Sequence, residues 1–246
     1  MCGIAGFAGL PGPDDGAGAR LQQMCDAIQH RGPNDAGYFV RPGIAIGMRR
    51  LSVIDVGGGH QPIGNEDGSV QIVFNGEIYN YRALQTRLKS AGHRFTTQSD
   101  TETIVHAYEE FGVDVVRELR GMFGFAIWDL RRQHLFVARD RLGIKPIYYV
   151  ALPDGGVAFA SEIRSLLAGG IVEPHLDPEA LGDYFALGYV PEPGSIFRGV
   201  RKLPPGHRLT WTRERGIAID RYWSPLGEER PGISQADAIS EIRRLL

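Results

Sequence analysis

Met122–Leu130 (MFGFAIWDL), His134–Ala138 (HLFVA), Ile147–Ala151 (IYYVA) and Val157–Ala160 (VAFA) follow one another with only turns between them. Each run is short, apolar and rich in aromatic or β-branched residues, the composition of buried strands. Asp154-Gly155, between the last two, is a hairpin signal. Helical periodicity does not alternate with these strands, so they read as a mainly antiparallel sheet rather than as βαβ units. Two more strands are expected near Arg208–Thr212 and Ile217–Ile219.

The segments upstream complete an α+β reading. Met1–Leu10 (MCGIAGFAGL) is apolar and glycine-laced, as a buried first strand would be. Tyr38–Val40, Ile44–Met48 and Leu51–Ile54 read as strands around a Pro42-Gly43 turn, and Val70–Phe74 is a strong strand that leads into Asn75-Gly76-Glu77. Leu21, Met24, Cys25 and Ile28 have helical spacing, as do Leu84, Leu88 and Ala91 ahead of a Gly92 stop. Ser99-Asp100-Thr101-Glu102 has the spacing of a capping box, and Asp177-Pro178 starts a helix with Asp as N-cap and Pro at N1. Ser234 caps a last helix whose apolar face, Ile239, Ile242, Leu245 and Leu246, runs to the end of the sequence. That ending reads as the N-terminal piece of a longer protein.

Composition removes several function classes. The formal net charge of −2 argues against a polyanion such as nucleic acid as the main partner. The 43% hydrophobic content argues against a disordered chain. No apolar run approaches the ~20 residues that span a bilayer, and the uncharged start lacks the basic region of a signal peptide. Two cysteines do not make a disulfide scaffold, so a reducing cytoplasm is the expected compartment. The 33 glycines are about 13% of the chain, roughly twice the usual ~7%, and imply many tight turns.

Four features carry chemistry, each beside a plainer reading. Cys2 follows the initiator methionine, whose removal would leave a thiol and a free α-amine on one residue. Such an amine has a reference pKa of ~7.7–8.0 and can serve as base for its own thiol; the plain reading is a small buried hydrophobe. Arg50 offers a planar clamp for a carboxylate, or is a surface arginine. Asn75-Gly76 is either a tight turn or a pair of oxyanion donors, the Asn75 amide and the Gly76 backbone N–H. Asp100 is either part of a helix cap or an ionised partner for an ammonium group. Together, a thiol, two oxyanion donors, a cation and an anion suit hydrolysis of an amino acid's side-chain amide.

Seven ordered segments then carry a resemblance. They are Met1-Cys2-Gly3-Ile4-Ala5-Gly6, His30-Arg31-Gly32-Pro33, Arg50-Leu51-Ser52, Asn75-Gly76-Glu77-Ile78-Tyr79-Asn80, Ser99-Asp100-Thr101-Glu102, Gly121-Met122-Phe123-Gly124-Phe125-Ala126 and Arg139-Asp140-Arg141-Leu142-Gly143-Ile144-Lys145-Pro146. The chain resembles the class II glutamine amidotransferase domain of glutamine-hydrolysing asparagine synthetases over Met1 to Trp223. The resemblance implies a four-layer αββα sandwich of two mainly antiparallel sheets, the N-terminal nucleophile hydrolase fold. It also implies a glutaminase domain over 1–223, with 224–246 as a linker and the first helix of a synthetase domain.

On the same basis Cys2 forms a glutamyl thioester, and Asn75 and Gly76 serve as oxyanion donors. Arg50, Asn75, Gly76, Glu77 and Asp100 bind glutamine, and the backbone of Leu51, Ser52, Val53 and Ile54 lines the pocket. No metal or cofactor is implied for this domain. ATP and Mg would belong to a C-terminal synthetase domain, reached by an ammonia tunnel, where aspartate is activated. The Ser-Gly-Gly-x-Asp-Ser loop of that domain does not occur in this sequence. One position departs from the pattern: Asn34 stands where relatives commonly carry Asp, which removes a charge near the expected tunnel mouth. Two other readings stay open, an amidotransferase serving a different carboxylate acceptor and a catalytically silent regulatory domain. Partnership as a homodimer is also left open.

Overall fold

The computed structural model describes residues 1–10, 16–52, 55, 57–226 and 232–245. Its strands, in chain order, are β1 (Gly3–Ala8), β2 (Asp35–Arg41), β3 (Ile44–Arg50), β4 (Ile63–Gly64), β5 (Val70–Ile78), β6 (Gly121–Asp129), β7 (His134–Arg139), β8 (Tyr148–Ala151), β9 (Val157–Ala160), β10 (Arg201–Lys202), β11 (His207–Thr212) and β12 (Gly216–Arg221). They form two six-stranded sheets, ordered β10-β8-β9-β1-β3-β2 and β12-β11-β7-β6-β5-β4. Every pairing between these strands is antiparallel. The helices are α1 (Ala17–Asp26), α2 (Tyr81–Ser90), α3 (Asp100–Phe111), α4 (Val115–Glu118), α5 (Ile163–Ala168), α6 (Pro178–Leu187) and α7 (Gln235–Leu245).

The period of two along β6 explains why its sequence is apolar throughout. Phe123, Phe125 and Ile127 face one way and pack with Ile104, Val105 and Tyr108 of α3 and Leu84 and Leu88 of α2. Ala126 and Trp128 face the other way and pack with Ile4, Ile46, Met48 and Phe159 of the opposite sheet. Both faces of the strand are buried, so polar alternation is lost. The first sheet repeats the scheme: Ala5 and Phe7 of β1 pack under α1 and α5, together with Leu21, Met24, Cys25 and Leu166. The result is the expected αββα sandwich, with one core between the sheets and one under each helix layer.

Two local expectations change, and one helix appears that the sequence did not signal. Asn75-Gly76 is not a turn, because β5 runs through it to Ile78 in register with β6. The strand expected over Leu51–Ile54 is absent at its start: β3 ends at Arg50, and Leu51 and Ser52 are irregular. Their backbone groups bond to Cys2 and Asn34 instead of to a strand. Val53 and Ile54 lie outside the described residues. The short helix α5 has no readable period in six residues; it is fixed by packing on α1, where the Ser165 hydroxyl donates to the Met24 carbonyl at 2.8 Å.

Caps follow the sequence more closely. Asp177 accepts from the Glu179 and Ala180 N–H groups, with Pro178 at N1. Ser99 caps α3 by accepting from the Thr101 N–H. The reciprocal half of the box is not formed, because Glu102 turns back to Thr96 and Thr97, accepting from both backbone N–H groups and both hydroxyls.

Candidate active site

Cys2 precedes β1 and, two residues before Ile4, shares the face that looks between the sheets. Its thiol sits against the backbone just after β3. The Leu51 N–H donates to Sγ at 3.3 Å, and the thiol lies 3.6 Å from the Leu51 carbonyl. Arg31 fixes the Cys2 backbone, its Nε donating to the Cys2 carbonyl at 2.9 Å while its other arm pairs with Glu162, also at 2.9 Å. Burial works against ionisation of Glu162, but the hydrogen bonds from Arg31 and His30 outweigh it and lower its pKa.

The same cavity is lined by the end of β5, on the edge turned away from β6. Successive N–H groups of an antiparallel strand point to opposite edges. The Phe74 N–H donates to Gln61 Oε1 at 2.7 Å, and the Ile78 N–H donates to Asp100 Oδ2 at 3.0 Å. Tyr79, one residue out of phase, donates to Arg120 on the β6 side. Gly76 therefore turns its N–H to the same edge as Phe74 and Ile78, between two occupied positions. A Cβ at Gly76 would lie 2.2 Å from the Met122 carbonyl oxygen, so only glycine fits this close approach to β6.

The Asn75 side chain shares the inter-sheet face with Val73. Asn75 is 1% exposed, and its Nδ2 has no hydrogen-bond partner among the described residues. A buried donor left unmade costs about 1–3 kcal/mol. Such a donor is expected where a ligand supplies the acceptor.

Cys2, Arg50, Leu51, Gln61, Asn75, Gly76, Glu77, Asp100 and Lys145 are among the residues that line one cavity of about 170 Å³. Arg50 is buried in its wall, where Nη2 donates to the Asp55 carbonyl at 2.7 Å. A Cβ on Gly59 would come within 2.5 Å of the same Arg50 nitrogen, so the loop closes tightly over the guanidinium. Asp100 stands at the first position of α3. Burial pushes its pKa up, against the pull of the Ile78, Asp100 and Thr101 N–H groups, and the nearby Glu77 carboxylate adds to the rise. The sequence expectation of a carboxylate simply held ionised by the helix terminus is thus incomplete: the cavity also presses Asp100 toward a counter-cation.

The structure gathers Cys2, Arg50, Leu51, Asn75, Gly76, Glu77 and Asp100 as the sequence reading expected. Ser52 does not line the cavity; its N–H donates to Asn34 Oδ1 at 3.1 Å, a role an Asp at that position would also fill. Val53 and Ile54 fall outside the described residues. Three side chains were not singled out from sequence. Gln61 fills the β5 edge beside Gly76, Arg31 holds the Cys2 backbone, and Lys145 reaches the cavity, its ammonium 3.2 Å from Met1 Sδ. Burial lowers the Lys145 pKa, and the positive charge of Arg31 lowers it further. The ordered segments His30–Pro33 and Arg139–Pro146 were the available signal for Arg31 and Lys145, whereas Gln61 had none.

An antiparallel αββα sandwich whose first strand follows Cys2, with Cys2, Asn75 and Gly76 lining one cavity, is the N-terminal nucleophile hydrolase fold. Residues 1–223 match the family described as a glutamine amidotransferase domain. The chain belongs to that family, as a class II glutamine amidotransferase domain.

It is 36% identical to glutamine-hydrolyzing asparagine synthetase 3 of Bacillus subtilis (strain 168), over 100% of this chain and 40% of that protein. With synthetase 1 of the same organism the identity is 42%, over 82% of this chain and 32% of the relative. Amidase chyE of Penicillium rubens is 36% identical, over 98% of this chain and 36% of that protein. The chain therefore spans less than half the length of these curated relatives. A solved structure of glutamine phosphoribosylpyrophosphate amidotransferase from B. subtilis shares the fold, with TM-score 0.68 and 22% identity over 92% of this chain and 50% of that one. Among the described residues, no helix is long and apolar enough to cross a membrane.

Proposed function

We propose that this domain hydrolyses glutamine to glutamate and ammonia through a Cys2 thioester. One observation carries the reading: Asn75, whose buried Nδ2 has no partner among the described residues, and Gly76 line the same cavity as Cys2. Removal of Met1 gives Cys2 a neutral α-amine, which takes the thiol proton. The thiolate attacks the side-chain carbonyl carbon of glutamine. The oxygen of the tetrahedral intermediate accepts from Asn75 Nδ2 and Gly76 N–H, donors fixed before the charge appears. The α-ammonium returns its proton to the amide nitrogen, the C–N bond breaks and ammonia leaves. Water, deprotonated by the same amine, then cleaves the thioester to glutamate and the free thiol.

The remaining groups divide recognition from chemistry. Arg50 takes the α-carboxylate and Asp100 the α-ammonium, while Glu77 adds negative charge on the same side. Gln61 and Arg31 act as positioning residues, Gln61 for the β5 edge and Arg31 for the Cys2 backbone. We assign 1–223 to this glutaminase unit and 224–246 to the start of a second unit. Ammonia would pass to an aspartate activated by ATP and Mg in that unit. No residue of this chain is assigned to ATP, and no step here runs through it.

Exposed Tyr184, Phe185 and Leu187 of α6 and Ile239 and Ile242 of α7 support a covering domain. A second reading, in which the acceptor is a different carboxylate, stays open because one relative is named an amidase rather than an asparagine synthetase. Incubating the Met1-free chain with glutamine should release glutamate and ammonia in equal amounts. Release of neither would leave the silent-domain reading.

A further inference from the structure

Away from the cavity, His93, His106, Glu66 and Glu109 bring four donor atoms within 4.8 Å of one another. They come from three segments: Glu66 from the β4–β5 turn, His93 from the α2–α3 connection, and His106 and Glu109 from α3. We propose that these four residues form a tetrahedral site for a divalent transition-metal ion, with zinc the best match.

His106 Nδ1 lies 3.1 Å from Glu109 Oε2 and 3.5 Å from Glu66 Oε2. His93 Nδ1 lies 3.6 Å from Glu109 Oε2 and 3.7 Å from the other Glu66 oxygen, Oε1. Zinc–ligand bonds of ~2.0–2.2 Å put tetrahedral ligands roughly 3.3–3.6 Å apart, close to these four separations. The set as a whole spans up to 4.8 Å, so the exposed Glu66 and Glu109 carboxylates have to rotate inward on binding.

One outer nitrogen supports the same reading. His93 Nε2 sits 3.0 Å from Glu110 Oε1, the carboxylate–histidine order that leaves Nδ1 for a metal. His106 Nε2 is buried with no hydrogen-bond partner among the described residues, 3.7 Å from Glu102 Oε1. Both Nδ1 atoms face the Glu66 and Glu109 carboxylates, an arrangement that a proton on each ring or one shared cation would satisfy. The carboxylates are themselves oriented: the Arg94 N–H donates to Glu66 Oε1 at 2.9 Å and Asn65 Nδ2 to Glu109 Oε1 at 2.7 Å. Glu102 is fixed by Thr96 and Thr97. His106 is 1% exposed and packs on Phe95 with ring centroids 4.5 Å apart, so the inner wall is rigid and dry. Two imidazoles in the set select zinc or a similar ion over Mg or Ca, which take oxygen ligands. A bound ion would fasten the β4–β5 turn and the α2–α3 connection to the helix that begins with Asp100. That is a structural role, distinct from the thiol chemistry.

The test is calorimetric titration of the chelator-stripped chain with zinc chloride, paired with thermal melts. One equivalent should bind, and the melting temperature should rise with zinc. Glu66→Gln and Glu109→Gln, at partly exposed positions, should each weaken binding at least ~10-fold and abolish the zinc-dependent rise while the chain stays folded by circular dichroism. Cys2→Ser should bind as the parent does, and cobalt in place of zinc should give the intense visible absorption of a tetrahedral ion. The site is overturned if the folded chain binds no zinc saturably, if the Glu66→Gln/Glu109→Gln double variant binds as tightly as the parent, or if binding is lost with Cys2. In each of those cases protons on the histidines hold the cluster.

Discussion

Cys2 and Cys25 lie on opposite faces of the same sheet, and the two environments could hardly differ more. Cys2 looks between the sheets, against the Leu51 backbone, in a cavity that also holds Arg50, Asn75, Asp100 and Lys145. Cys25 lies on the helix side, fully buried among Leu21, Met24 and Ala45, and within 3.0 Å of where a Cβ on Gly47 would sit. Burial pushes the Cys25 thiol from its ordinary 9.0 up to about 12. The lesson is that residue type says little about reactivity. What matters is which face of a strand or helix the residue occupies, and what the opposite wall offers a developing charge.

The largest expected effect breaks the comparison outright. Cys2→Ala should remove glutaminase turnover altogether, while Cys25→Ala keeps it, as read by glutamate release. Retained activity in Cys2→Ala would assign the chemistry elsewhere. Chains that keep Met1 should be nearly as inactive, because an amide nitrogen cannot act as the base.

Next comes the wall opposite Cys2. Asn75→Ala should lower kcat by ~10²–10³, about 2.7–4 kcal/mol, with little change in KM. A rise in KM alone would make Asn75 a ground-state contact.

Recognition effects should be smaller. A charge-assisted hydrogen bond is worth ~1.5–3 kcal/mol, so Asp100→Asn or Arg50→Lys should cost roughly 10–150-fold in kcat/KM, mainly through KM. Glutamine amidated at its α-carboxylate should be rejected by the parent domain, and equal hydrolysis of free and amidated glutamine would remove the role given to Arg50.

The smallest effect sharpens the other side. Cys25→Ala should cost about 1 kcal/mol in urea unfolding, the scale of a small core truncation. Its raised folded pKa also sets a sign for pH. The folded state holds the thiol proton more tightly than the unfolded chain, whose thiol titrates near its ordinary 9.0. Stability is therefore complete below that value and is lost as pH rises toward about 12. Cys25→Ala should flatten this alkaline loss, and an unchanged slope would show that another group causes it.

Much of this was legible in the sequence because it depends on local rules. The β6 run, the Asp154-Gly155 turn, the Asp177-Pro178 cap and the strand leading into Asn75 are all encoded by neighbours in the chain. Asn75 and Gly76 line the cavity beside Cys2, yet they form no turn, since pairing with β6 overrides the local preference of Asn-Gly. Leu51 and Ser52 look like strand residues but lose that state to contacts with Cys2 and Asn34, from 49 and 18 positions away. Gln61 was invisible for the same reason, because its place on the β5 edge exists only after the sheet has formed. The four donors of the His93–His106 cluster were equally unreadable, since packing α3 on β5 brings them together.

The most direct test of the central assignment is covalent mapping of the processed chain. It would be treated with a glutamine analogue that carries an electrophile at the side-chain carbonyl, followed by intact and peptide mass measurement. The account predicts one label per chain, on Cys2, in molecules that have lost Met1, with protection by free glutamine. A label on Cys25, or a label on Cys2 at full rate in molecules that retain Met1, would contradict it.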